Sequence, residues 1–203
     1  MDDARKARLE EAKLEQFAAL GEFIQDFELV CFALKRLFVF CFHRHGLSSA
    51  GQPLANIAID NHYITADPLV SIVSAVYRQA AKDDEVAQSV ASDLERRFKR
   101  LIEIRNRVVH GTWLIGWVGS EQEDFSEITG IYNRITKNGL ERRDMPKSAS
   151  ELKKLSEEAK DLEDIAMRLM VPLMSTEERT SGRNQFIFED TKWKSKFGNR
   201  SGR

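Results

Sequence analysis

Apolar positions recur at steps of three and four through the first part of the chain. Phe17, Leu20, Ile24, Phe27, Cys31, Leu34, Phe38 and Cys41 form one stripe, and Phe23, Val30 and Leu37 widen it on one side. This spacing predicts a single long helix from about residue 4 to His45, stopped by Gly46. Phe32, Phe40 and Phe42 make its second half apolar almost all round. Such a helix is expected to be central and to meet partners on several sides, a second copy of the chain among them.

Residues 46–67 carry no sustained period beyond a short helical stretch at Leu54–Ile59. Asp67-Pro68 reads as an N-cap followed by proline at the first helical position, opening a helix to about Lys82 that buries Leu69, Ile72, Val73 and Val76. A third helix is expected from Asp83 or Asp84 to His110, with a break around Ser89–Ser92. The period then changes. Thr112 to Val118 and Ile128 to Thr136 are rich in β-branched and aromatic residues, and Asn138-Gly139 is a hairpin turn leading to Leu140–Asp144. Pro146 and Ser148 or Ser150 precede a last helix with Leu152, Leu155, Ala159, Leu162, Ala166, Leu169 and Leu173 on one face, its final turn put in doubt by Pro172. The expected fold is mainly all-α: a bundle of four to five helices with a small antiparallel β-meander inserted after the third helix. It forms one domain over 1–174, with the insert at about 112–144. Residues 175–203 turn polar, with seven Lys/Arg against four Asp/Glu and Phe186, Phe188, Trp193 and Phe197 between them. Basic charge with aromatics can bind RNA, but the segment is read as a flexible tail.

The formal net charge of −1 gives no global cationic field, so any nucleic-acid contact must come from a local patch. Cys31 and Cys41 lie ten positions apart on one helix, roughly 15 Å, too far to bridge, and read as small buried hydrophobes in a reducing compartment. The first residues lack the apolar core of a signal peptide, and the run Val30 to Phe42 is short and holds Lys35 and Arg36, so a cytoplasmic protein with no membrane span is expected. His43-Arg44-His45 and His62 do not complete a metal site, and no cofactor or metal is expected. Trp113 and Trp117 alternate on one strand face and read as core.

One arginine stands where a leucine belongs. On the third helix Leu94, Phe98, Leu101 and Val108 form an apolar stripe, and Arg105 continues it. A guanidinium in that position is costly unless an acceptor meets it. Asn106 follows it, and His110 closes the helix before Gly111, a helix stop. Arg105 and His110 are roughly 140° apart in azimuth on a straight helix. They converge only if the helix unwinds by His110, or if the arginine of one copy meets the histidine of another. A competing reading makes Arg105 half of a buried ion pair and His110 a helix-terminal histidine placed by the dipole. Asp93–Arg97, Glu95–Lys99 and Glu103–Arg107 are i,i+4 pairs, while Arg96 and Arg100 are left unpaired by this rule and could track an RNA backbone.

An arginine, a polar residue and a histidine after four intervening positions, at the end of a helix in a helical bundle, resembles the HEPN superfamily motif. The likeness is specific over about 94–111. It implies a metal-independent RNase working as a homodimer, in the manner of a toxin or phage-defence effector held by an antitoxin or regulatory partner. Within that resemblance His110 is the expected general acid/base, Arg105 the phosphate clamp and Asn106 an orienting group. Arg96, Arg100 and Arg107 are substrate-binding candidates. The alternative is a non-catalytic HEPN-like dimerisation or nucleotide-binding module.

Overall fold

A computed structural model describes residues 3–44, 46, 53, 57, 64–115, 128–137, 139–143, 145–146, 148–174, 185–189 and 192–196. The chain is mainly helical, with a small three-stranded antiparallel sheet. Its helices are α1 (Asp3–Arg44), α2 (Ala66–Ala80), α3 (Glu85–His110), α4 (Ala149–Arg168) and the single turn α5 (Val171–Met174). Strands β1 (Thr112–Ile115), β2 (Ile128–Thr136) and β3 (Gly139–Arg143) form the sheet in that order, and β4 (Phe186–Glu189) pairs with β5 (Lys192–Ser195). None of the described helices is long and apolar enough to cross a membrane.

The ends of these elements follow local chemistry. Gly46 takes φ 77° and its N–H returns to the His43 carbonyl at 3.0 Å, the left-handed helix stop that glycine permits. Asp84 Oδ1 accepts from the Ala87 N–H at 2.9 Å and caps α3, which runs without the break expected at Ser89–Ser92. Ser148 Oγ accepts from the Glu151 N–H at 3.2 Å and caps α4. Gly139 at φ 109° opens β3, one residue before the expected Leu140. Helix α2 begins at Ala66 with Thr65 as N-cap, so Asp67 lies inside the helix. Its buried face is Leu69, Val70, Val73, Tyr77 and Ala80, one step round from the expected stripe, and leaves Ile72 exposed. The expected helix at Leu54–Ile59, along with His45, His62 and Trp117, falls wholly or largely outside the described residues.

The chain divides into two compact units: Met1–Phe27 with Leu101–Glu158, and Glu28–Arg100 with Ala159–Arg203. In the first unit Ala19, Phe23 and Phe27 of α1, Leu101, Ile102 and Val108 of α3, and Leu152 of α4 are buried. The sheet β1–β3 belongs to this unit. In the second, Val30, Leu34, Leu37 and Cys41 of α1 are buried, as are Val73 and Tyr77 of α2, Leu94 and Phe98 of α3, Leu162 and Ile165 of α4, and Leu169 just after it. Each of the fully buried Val, Leu, Ile and Phe side chains contributes about 1.5–3 kcal/mol. On α1 the buried line runs through Phe23, Phe27, Val30, Leu34, Leu37 and Cys41, so Phe23, Val30 and Leu37, expected to flank the stripe, share its centre with Phe27, Leu34 and Cys41. Phe17 and Phe32 remain 57% and 56% exposed.

The C-terminal segment, expected to be a flexible tail, contains a hairpin in its described part. Strands β4 and β5 pair from Phe186↔Ser195 to Glu189↔Lys192, and Phe186 is buried. Trp193 donates from its backbone N–H to Asp93 at 3.3 Å and from its indole Nε1 to Ser89 at 3.2 Å. The Trp193 carbonyl accepts from Arg97 at 3.3 Å. These partners lie about a hundred positions away on α3, beyond the reach of local pattern.

Candidate functional site at the end of the third helix

Helix α3 carries Arg105, Asn106, Arg107 and His110 on its last two turns, all in the first unit. Arg105 is only partly exposed, as its place in the apolar stripe predicts, and its guanidinium carbon stands 5.5 Å over the ring of Phe27 on α1. A cation over an aromatic face recovers part of the solvation it loses on burial. Asn106 and His110 are exposed, and on the other side of Asn106 around the helix lies Val109, an apolar side chain 44% exposed. Arg107 is half-buried and its Nε donates to the Glu103 carbonyl at 3.3 Å.

The helix end is pinned. Trp113 of β1 turns its indole N–H back to the Val108 carbonyl at 2.8 Å, satisfying one of the acceptors that a helix C-terminus leaves open. Gly111 is not in the left-handed conformation expected of a helix stop. It is needed for space: a Cβ there would lie 2.6 Å from the Arg107 carbonyl oxygen and 2.6 Å from Met145 Sδ and Cε. Gly130 on β2 meets Met145 in the same way, with a Cβ 2.8 Å from that of the methionine. The buried Met145 side chain therefore sits close to both glycines, one after the motif helix and one in the sheet. This fixes where α3 stops, and the helix stays regular through His110. No unwinding brings Arg105 and His110 to one face of the same helix.

A buried carboxylate lies in the same unit. Asp26 of α1 precedes Phe27 and accepts a hydrogen bond from Ser156 Oγ of α4, both side chains being buried. Asp26 is not among the residues expected at the site, yet it bears the signal that marks Arg105: a charged residue inside an apolar stripe, here between Phe23 and Val30.

The remaining candidates fall in the second unit. Arg96, expected to be unpaired, bonds Asp93. Arg100 is exposed and has no hydrogen bond or ion pair among the described residues. Arg97, read as half of a surface pair with Asp93, is 4% exposed, reaches Asp161 at 2.5 Å and keeps Asp93 at 3.8 Å. The expected Glu95–Lys99 pair is present at 2.9 Å. Among the described residues no cluster of His, Cys, Asp and Glu could hold a metal ion. Comparison with protein-family models, curated proteins and solved structures finds no match for this chain.

Proposed function

We propose that this chain is a metal-independent endoribonuclease of the HEPN kind, acting as a homodimer in which Arg105 of one copy works with His110 of the other. One observation carries the reading. Helix α3 is regular through His110, Arg105 is braced against Phe27, and Asn106, Val109 and His110 form an exposed surface at its end. Two motif residues that diverge by roughly 140° on one helix can still meet across a two-fold axis. The exposed Val109 is what such an interface would cover.

The chemistry asks little of the protein beyond placement. RNA supplies its own nucleophile, the 2′-OH. The His110 imidazole removes that proton as the oxygen attacks phosphorus, and an imidazolium returns a proton to the departing 5′ oxygen. The Arg105 guanidinium binds the charge that builds on the phosphorane, and Asn106 orients a phosphate oxygen. The products are a 2′,3′-cyclic phosphate and a 5′-hydroxyl. A toxin or phage-defence role in the cytoplasm, with an antitoxin or regulator, belongs to the same proposal.

A second reading draws on Asp26. A buried carboxylate in the unit that holds Arg105 supports a structural role for that arginine, in a non-catalytic dimerisation or nucleotide-binding module. Incubation with RNA in EDTA separates the two. The nuclease leaves cyclic-phosphate ends and His110→Ala abolishes them without loss of fold. A wild-type chain that leaves every RNA intact supports the module.

A further inference from the structure

The β2–β3 hairpin is locally cationic, although the insert of residues 112–144 as a whole holds six Asp/Glu against four Lys/Arg. Between Ile128 and Arg143 the chain holds four cationic residues, Arg134, Lys137, Arg142 and Arg143, against the single anion Glu141, within a chain whose formal charge is −1. On the helices Lys13, Arg78, Arg96, Arg97, Lys99, Lys153 and Arg168 have carboxylate partners. Lys137 and Arg142 are exposed and have none among the described residues. The register places Arg142 directly opposite Asn133, also exposed, so a guanidinium and an amide stand side by side on one face of the ribbon. Leu140, two positions from Arg142 on that same face, is 71% exposed. Lys137 lies at the turn, where Gly139 at φ 109° reverses the chain.

We propose that the β2–β3 hairpin is an RNA-binding arm. Lys137 and Arg142 contact backbone phosphates, Asn133 donates to phosphate or ribose oxygens, and Leu140 gives a base an apolar surface. The choice of RNA rests on the nuclease reading. It is supported by the hairpin lying in the same unit as Arg105 and His110. One exposed leucine offers too little apolar surface to hold a lipid bilayer, so a polyanion with phosphates and bases fits the patch better than a membrane does.

The test is fluorescence anisotropy of the full-length protein with a single-stranded RNA carrying 2′-O-methyl groups throughout, which cannot be cleaved by 2′-OH attack. Lys137→Ala/Arg142→Ala should weaken binding about ten- to thirty-fold near 0.1 M salt and reduce the slope of log K against log salt by about 1.4, the contribution of two phosphates on a single strand. Lys6→Ala/Lys82→Ala removes the same charge from α1 and the α2–α3 turn and should leave both quantities near wild type. On cleavable RNA the hairpin variant should raise KM and spare kcat. Unchanged affinity and slope in the hairpin variant overturn the arm, even if wild-type cleavage persists. Hairpin-dependent binding without any cleavage upholds the arm and removes the nuclease. Loss of binding to phosphatidylserine vesicles in the hairpin variant, with RNA affinity untouched, assigns the patch to a membrane and overturns the proposal.

Discussion

Arg97→Met is the sharpest test of how the C-terminal hairpin is held. Arg97 is 4% exposed and connects through Nη2 to Asp161 at 2.5 Å, and through Nη1 to the Trp193 carbonyl at 3.3 Å and to Asp93 at 3.8 Å. Methionine keeps the apolar stem and its packing but removes the charge. Two carboxylates and one carbonyl then lose a donor. Removing one partner of a buried ion pair costs about 3–5 kcal/mol, whereas an exposed pair contributes at most about 1 kcal/mol. Asp161 is 28% exposed and keeps Lys192 at 3.8 Å, and Asp93 keeps Arg96, so the lower end, about 3 kcal/mol, is expected. Urea unfolding followed by circular dichroism gives the value, and limited proteolysis should cut between residues 175 and 203 sooner in the variant. Adding Asp161→Ala should recover part of the loss, because the stranded charge is gone. A cost under about 1 kcal/mol, with the hairpin still protected, would refute a buried latch.

Cys41 predicts a stability that depends on pH. Burial pushes its thiol up from 9.0 to about 12. The unfolded thiol ionises first, so this group leaves stability untouched below pH 9 and removes it as pH rises towards 12; Cys41→Ala should flatten that part of the alkaline profile in a urea-melt series. Tyr77, pushed well above its ordinary value by burial, then by Asp84 and Cys41, should leave a residual loss beginning near pH 10. Gly111→Ala should cost about 1–3 kcal/mol by thermal melting, since the new methyl meets the fixed Arg107 carbonyl as well as the flexible end of Met145. A variant as stable as wild type would mean that the helix end can shift.

What the sequence disclosed was the part written in local period. The end of α3 at His110, the stop at Gly46 and the cap at Ser148 follow from nearest neighbours, and so does the face of α4 that buries Leu152, Ala159 and Leu162. The Arg105 position also follows, because a charge inside an apolar stripe is visible in a list of residues. Partners supplied from far along the chain were invisible. Arg97 looked like half of a surface pair until Asp161 and the Trp193 carbonyl closed over it. The tail looked polar because its anchors, Asp93 and Ser89, sit on another element. Gly111 was expected as a helix stop of left-handed conformation, and its true constraint is the side chain of Met145. Asp26 carries the same signal as Arg105, a charge inside an apolar stripe, on a helix whose second half is apolar almost all round.

The composite site is tested most directly by mixing two inactive proteins. Arg105→Ala and His110→Ala chains are purified separately, each without RNA cleavage, then unfolded together and refolded so that copies exchange. If Arg105 of one copy works with His110 of the other, half of the dimers are mixed and each mixed dimer holds one intact site, so roughly a quarter of wild-type activity should return. A mixture as inactive as its parents would contradict a site shared between two copies.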